Sequence, residues 1–192
     1  MDQAAQVLAE AERPVIIAGD GVAKSHAVPA IIRLAEAIAA EVYAERMPHR
    51  ISFPTGHPLY QGPIGFHASE IQSSLAGADV ILLAGTNRII PVVHYGGPLI
   101  PPGSRIIQVD EDAWEAGKNT PGAIFITADV NASLEMLTEK VIEKVAPRRD
   151  LVSRRRSSLE QRAKERHSLV EQKVTETWNR VPISLPRLIR EI

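Results

Sequence analysis

The sequence predicts an α/β fold: a parallel sheet with helices on both faces, followed by a long linker helix. Two observations carry this. Residues 15–18 (Val-Ile-Ile-Ala) and Val80–Ala84 are short, wholly apolar runs ending at glycine, as strands covered on both faces are. Between such runs, apolar residues recur at helical spacing, and the two patterns alternate through three quarters of the 192 residues. Alternation of this kind means parallel βαβ units in a Rossmann-like sheet.

The first strand, 15–18, runs into Gly19-Asp20-Gly21, a turn. Val28, Ile31, Ile32, Ala35, Ile38 and Ala39 then predict a helix, with Ser25 as its N-cap. Pro29 falls near the first turn, where a missing N–H does least damage. Glu41–Ala44 reads as a second strand. Residues 53–62, Phe-Pro-Thr-Gly-His-Pro-Leu-Tyr-Gln-Gly, are too rich in proline and glycine for a helix or central strand and read as a long ordered loop. A helix near 67–76 leads to the strand Val80–Ala84. Residues 105–109 and Ile124–Thr127 are two more strands, each followed by a helical pattern. In the second of these, Val130, Leu134, Leu137, Val141 and Val145 form one apolar stripe.

The character changes at Pro147. Arg148, Arg149, Arg154, Arg155 and Arg156 open a polar segment in which apolar residues thin out, a long and weakly amphipathic helix closed by Val181-Pro182. The arginines read as a solvated helix face or as an anion-binding patch, and the acidic residues that follow favour the former. Ser184 then precedes Leu185, Leu188, Ile189 and Ile192 at i, i+3, i+4 and i+7 spacing. So short an apolar helix is marginal alone in water, which predicts that a further domain follows. The expected organisation is a domain over 1–146, a helical linker over 147–181, and the start of another domain over 182–192.

Composition excludes several classes. A formal net charge of −1 and 4% aromatic residues argue against a nucleic-acid binder. The absence of cysteine removes thiolate catalysis and Cys-based zinc sites. No apolar run approaches the roughly 18–20 residues of a membrane span, and no leader is visible, so a cytoplasmic protein is expected. The six histidines show no metal-ligand spacing.

Taken together, Arg13-Pro14-Val15-Ile16-Ile17-Ala18-Gly19, the 53–62 loop and Ile106-Ile107-Gln108-Val109-Asp110-Glu111-Asp112 resemble one family. It is the thiamine-diphosphate-dependent enzymes of the acetohydroxyacid synthase, benzoylformate decarboxylase and pyruvate oxidase type, and within them the central domain. Along residues 53–130 the spacing follows benzoylformate decarboxylase most smoothly. Pro182-Ile183-Ser184-Leu185-Pro186 is similar to the start of the family's third, cofactor-binding domain. The resemblance implies a parent that uses thiamine diphosphate and magnesium to decarboxylate 2-keto acids or to transfer the resulting acyl unit. It implies flanking N-terminal and C-terminal domains on the same chain, and a homodimer or homotetramer. The activating glutamate belongs to the first of those domains and the metal ligands to the third, so the isolated segment is expected to be inactive.

Three motifs stay open. Gly19-Asp20-Gly21 is similar to the family's metal-binding sequence but lacks the following Asn, since the first Asn in the chain is Asn87. It reads either as a tight strand-to-helix turn or as part of a dinucleotide site with Gly19, Gly21 and the acidic Glu45, which would make the chain a free-standing oxidoreductase domain. Asp110 ends a strand and reads either as the cap of a following helix or as a nucleotide ligand. In relatives that hold FAD or ADP on this domain, an Asp of the matching sequence helps hold the adenosine end. Thr86-Asn87-Arg88-Ile89-Ile90 departs from the Arg-Phe-Asp-Asp-like sequence usual in flavin-binding relatives. His57 reads as ordering its own loop. His94, in the loop after the fourth strand, reads as a solvated residue or, through the resemblance, as a proton-transfer group in the parent. The family's histidine falls two positions earlier, where this chain has Val92.

Overall fold

The computed structural model describes residues 1–86, 89, 91–92, 96–114, 117–118 and 123–191. Six parallel strands form one sheet: β1 (Pro14–Ala18), β2 (Glu41–Ala44), β3 (Tyr60–Pro63), β4 (Val80–Ala84), β5 (Arg105–Asp110) and β6 (Ile124–Thr127), in the order β3-β2-β1-β4-β5-β6. The chain winds outward from β1 to β3, then returns to β4 and winds the other way. The switch between β1 and β4 opens a crevice at the carboxyl edge, where such sheets bind ligands.

Both faces are covered. On one, β-strand side chains Ile16, Val42, Leu82, Ile107 and Val109 pack under α1 (Asp2–Glu10), α3 (Val28–Ile38) and α5 (Val130–Val145). On the other, Val15, Ile17, Tyr43, Ile81 and Leu83 meet Ile71 and Leu75 of α4 (Ala68–Leu75), with Ile89, Leu99 and Ile100 completing the layer. Every residue of β1, β2 and β4 is buried, which explains the unbroken apolar runs of β1 and β4; in β2 the buried Glu41 is paired with Arg13 and Arg162. The stripe of α5 faces inward as its spacing requires, and the Asp129 carboxylate caps it by accepting the Ala132 N–H at 2.7 Å.

The structure corrects several expectations. Asp2–Glu10, for which the sequence reading gives no element, form α1, whose buried residues are Ala4, Ala5, Val7, Leu8 and Ala9. A one-and-a-half-turn helix, α2 (Asp20–Lys24), follows β1 directly. Ser25 is the C-cap of α2 rather than the N-cap of α3, which starts after Ala27, and its hydroxyl donates to Glu111 Oε1 at 2.7 Å. The 53–62 segment ends in a strand, because Tyr60–Pro63 pairs with β2 across a register shift at Val42/Tyr43, and Gly62 takes φ +108° there. The rest of that segment is a crossover without a helix, in which Phe53 and Leu59 are buried in the core as a helix stripe would be. No helix follows β5 among the described residues, so Asp110 caps none.

After α5, a 3₁₀ turn (Ala146–Arg148) leads into α6 (Arg149–Thr177), with Leu159 as its one buried side chain. The arginine run is not a purely solvated face. Arg148 donates to the Ala9 carbonyl, Arg155 to those of Ala11, Glu12 and Ile38, and Arg156 to that of Glu36. The final helix, α7 (Leu185–Glu191), exposes Leu185 and Ile189, each at 66%. Ser184 Oγ accepts the Arg187 N–H at 3.4 Å at its start. Ile192 lies outside the described residues.

Candidate functional site

The crevice predicted by the topology is present as a cleft of about 820 Å³ at the carboxyl ends of β1, β2, β4 and β5. Gly21, Glu45 and Asp110 line it, so the structure brings these sequence candidates to one edge. Gly19 lies at the same edge as the N-cap of α2. Asp20, Arg46, His49 and Thr86 join them; no spacing marks these four, because they meet only when β1, β2 and β4 lie side by side. His94 lies outside the described residues.

The glycines serve the backbone. Gly19 N–H donates to the Ala84 carbonyl at 2.9 Å and Gly21 N–H to the Gly85 carbonyl at 3.0 Å. A Cβ on Gly19 would stand 2.4 Å from Thr86 Cβ, and one on Gly21 2.7 Å from Gly85 Cα. The turn after β1 is therefore pressed against the end of β4, and only glycine fits.

Glu45 closes the site from β2. Its Oε1 accepts the Asp20 N–H at 2.6 Å and its Oε2 accepts the Thr86 hydroxyl at 2.8 Å. Val22 N–H donates to the Gly19 carbonyl at 3.1 Å. The first three N–H groups of α2 are thus all taken within the protein. A dinucleotide's diphosphate would need those donors, and a carboxylate already occupies their end of the helix. The dinucleotide reading with Glu45 as ribose ligand fails on this geometry.

Asp20 holds the loop after β2. Its carboxylate accepts the backbone N–H groups of His49 and Arg50, each at 3.0 Å, and lies 2.8 Å from His49 Nδ1. Burial pushes the Asp20 carboxyl up, but the His49 side chain and the two backbone donors together outweigh it and hold the group below the ordinary carboxylate value. With both oxygens engaged, Asp20 does not fit the part of a magnesium ligand to a cofactor diphosphate. Among the described residues no cluster of three or more His, Cys, Asp or Glu side chains has metal-holding geometry.

Asp110 Oδ1 accepts the Asp112 N–H at 2.9 Å, and Asp112 Oδ1 accepts the Trp114 N–H at 2.9 Å, so β5 leaves the sheet through two successive Asx turns. The described lining holds five carboxylates (Asp20, Glu45, Asp110, Glu111, Asp112) against the permanent cations Lys24 and Arg46. Such a lining suits ribose hydroxyls better than phosphates. Away from the cleft, His57 orders its own loop: its Nδ1 accepts the Leu59 N–H at 3.2 Å and its Nε2 lies 3.4 Å from Glu36 Oε1.

Strand order, switch-point cleft and helix-free 53–59 crossover define a doubly wound, Rossmann-like parallel α/β domain. Residues 1–137 match the family model described as "Thiamine pyrophosphate enzyme, central domain". The chain belongs to that family. It is 38% identical over 145 residues to the sulfoacetaldehyde acetyltransferase of Castellaniella defragrans, covering 73% of this chain and 24% of that protein. It is 28% identical over 144 residues to the benzoylformate decarboxylase of Pseudomonas aeruginosa, covering 73% of this chain and 26% of that protein. Among solved structures, the thiamine diphosphate-dependent 4-hydroxybenzoylformate decarboxylase of Rhodococcus jostii RHA1 superposes with a TM-score of 0.66 at 31% identity, covering 73% of this chain and 27% of that one. The chain thus spans about a quarter of the length of the relatives it matches.

Proposed function

We propose that this chain is the structural central domain of a thiamine-diphosphate- and magnesium-dependent enzyme acting on 2-keto acids as a decarboxylase or carboligase. The match of residues 1–137 to the central-domain family is the observation that carries this reading. The 38% identity to a sulfoacetaldehyde acetyltransferase, against 28% to a benzoylformate decarboxylase, favours acyl transfer as the outcome. In such a parent the cofactor supplies an acceptor for the electrons left when a 2-keto acid loses carbon dioxide. Asp20 does not fit the part of a ligand to the cofactor's metal, since both carboxylate oxygens are engaged within the protein, so no step is assigned to the cleft residues.

The domain occupies 1–146, α6 belongs to a linker over 147–181, and 182–192 opens the next domain. The parent is a cytoplasmic homodimer or homotetramer; among the described residues no helix is long and apolar enough to cross a membrane. The cleft is a vestigial nucleotide site in which Asp110 is the candidate ribose ligand for ADP or FAD; that the first three N–H groups of α2 are already taken supports the loss of diphosphate binding. His94, outside the described residues, is the one candidate here for a chemical role in the parent, assisting a proton transfer there. In the full-length enzyme His94→Ala should cut turnover about 10²-fold or more with cofactor affinity unchanged; turnover within a factor of about two of wild type would remove the role.

Calorimetric titration of residues 1–192 with thiamine diphosphate and magnesium tests the structural assignment. No heat of binding is expected from the chain alone. Micromolar binding would overturn it.

A further inference from the structure

Helices normally dock through an apolar stripe. α6 does not. Over 29 residues it buries one side chain, Leu159. Its other anchors are arginines: Arg155 on the Ala11, Glu12 and Ile38 carbonyls, Arg156 on the Glu36 carbonyl at 2.6 Å, Arg162 on the buried Glu41 carboxylate at 3.2 Å, and Arg166 on the Tyr60 carbonyl at 2.9 Å. Ala11 and Ile38 stand at the C-terminal ends of α1 and α3, where unpaired carbonyls and the helix dipole attract a cation. Arg155 thus joins three helices at one guanidinium.

The start of α6 is built to bend. Between α5 and α6 the backbone tightens into the 3₁₀ turn Ala146–Arg148, and Pro147 removes a backbone donor there. The distal end carries a load. α7 rides on it: Arg190 pairs with Glu171, and Arg187 donates to the Trp178 carbonyl at 3.1 Å with its guanidinium 5.2 Å from the Trp178 ring centroid. The helix also holds together by itself through Gln161–Glu165 at 2.9 Å and Gln172–Glu176 at 2.8 Å.

A rigid helix, a hinge at one end and a polar latch with a single apolar anchor make a movable arm. We propose that α6 is a hinged strap, latched to the domain by Arg155 and Arg162, that lifts as a unit about Ala146–Arg148 while the sheet stays folded, carrying α7 with it. Polar anchors re-hydrate when released, so undocking exposes little apolar surface and costs less than opening the core.

The chain has no cysteine, so introduced thiols report on chosen sites alone. Spin labels at Gln3→Cys and Ser168→Cys, both exposed positions, span α1 and the distal half of α6. One narrow distance distribution is expected for the latched chain. Arg155→Ala with Arg162→Ala should add a second, longer-distance population while the cooperative melt of the sheet persists. An unchanged single distribution in that variant overturns the proposal. A second measurement leaves the latch intact. In the native state, Leu159→Cys should react with a thiol reagent at least tenfold faster than Leu82→Cys in β4, and with little dependence on denaturant. Equal rates, which would mean that α6 opens only when the whole domain does, overturn it.

Discussion

At the residue scale, the site is decided by which polar groups are already satisfied. Glu45 and the Gly85 and Gly19 carbonyls take the α2 N–H groups that a nucleotide diphosphate would use, and Asp20 spends both oxygens on the 49–50 backbone and the His49 ring. The sequence shows acidic residues at a ligand edge but not their partners, because Asp20 and His49 are brought together only by the crossover between β1 and β2. Gly19, Gly21 and Asp110 were legible as positions at the carboxyl edge; that the glycines serve backbone contact with Gly85 was not. Asp20 has a direct consequence for stability. Its folded-state pKa lies below the unfolded one, so its contribution is present above the unfolded value and is lost as pH falls through the folded one. Asp20→Asn should lower the thermal midpoint at pH 7 and flatten its decline in acid. Parallel melting curves for wild type and variant from pH 7 down to pH 3 would refute this. For Asp110, ADP or FAD should raise the wild-type midpoint by no more than a small amount, and Asp110→Asn should abolish even that. A flavin that co-purifies with the chain would show the cleft to be a working site.

At the element scale, strands covered on both faces announced themselves. β1, β2 and β4 are wholly buried, and the runs read in the sequence match their bounds within a residue. Elements with small or polar faces did not. Three of the five buried residues of α1 are alanine, α2 has five residues, and β3 reads Tyr-Gln-Gly-Pro, an edge strand with no alternation. α6 was legible as a helix, yet its docking side was not, since arginines that cap other helices look like a solvated face. The crossover before β3 gives the sharpest stability test. Leu59 is 2% exposed, in a segment without regular structure until β3. Leu59→Ala should cost about 2–5 kcal/mol in urea unfolding, as core truncations do. A loss below about 0.5 kcal/mol, the range of surface changes, would show the segment to be an ordinary surface loop.

At the scale of the whole molecule, the fold positions a cleft at a topological switch point and then largely fills its donors internally. The long helix α6 lies against the domain and reaches the edge strand β3 through Arg166 on Tyr60 and Gln61, and the chain spans about a quarter of its relatives' length. The family was legible in the proline- and glycine-rich run at 53–62 and the strand ends around it, since those segments carry the unusual helix-free crossover. The reaction of the parent was not, because the resemblance assigns the metal ligands and the activating acid to flanking domains. The central claim is that this domain serves a thiamine-diphosphate-dependent enzyme without binding its cofactor. The most direct measurement is carbon dioxide release from a panel of 2-keto acids, pyruvate and benzoylformate among them, by the full-length parent stripped with a chelator and then reloaded. Turnover should appear only when thiamine diphosphate and magnesium are both returned, and never with residues 1–192 alone. A reloaded parent inert toward every 2-keto acid, or activity from the 192-residue chain by itself, would contradict the account.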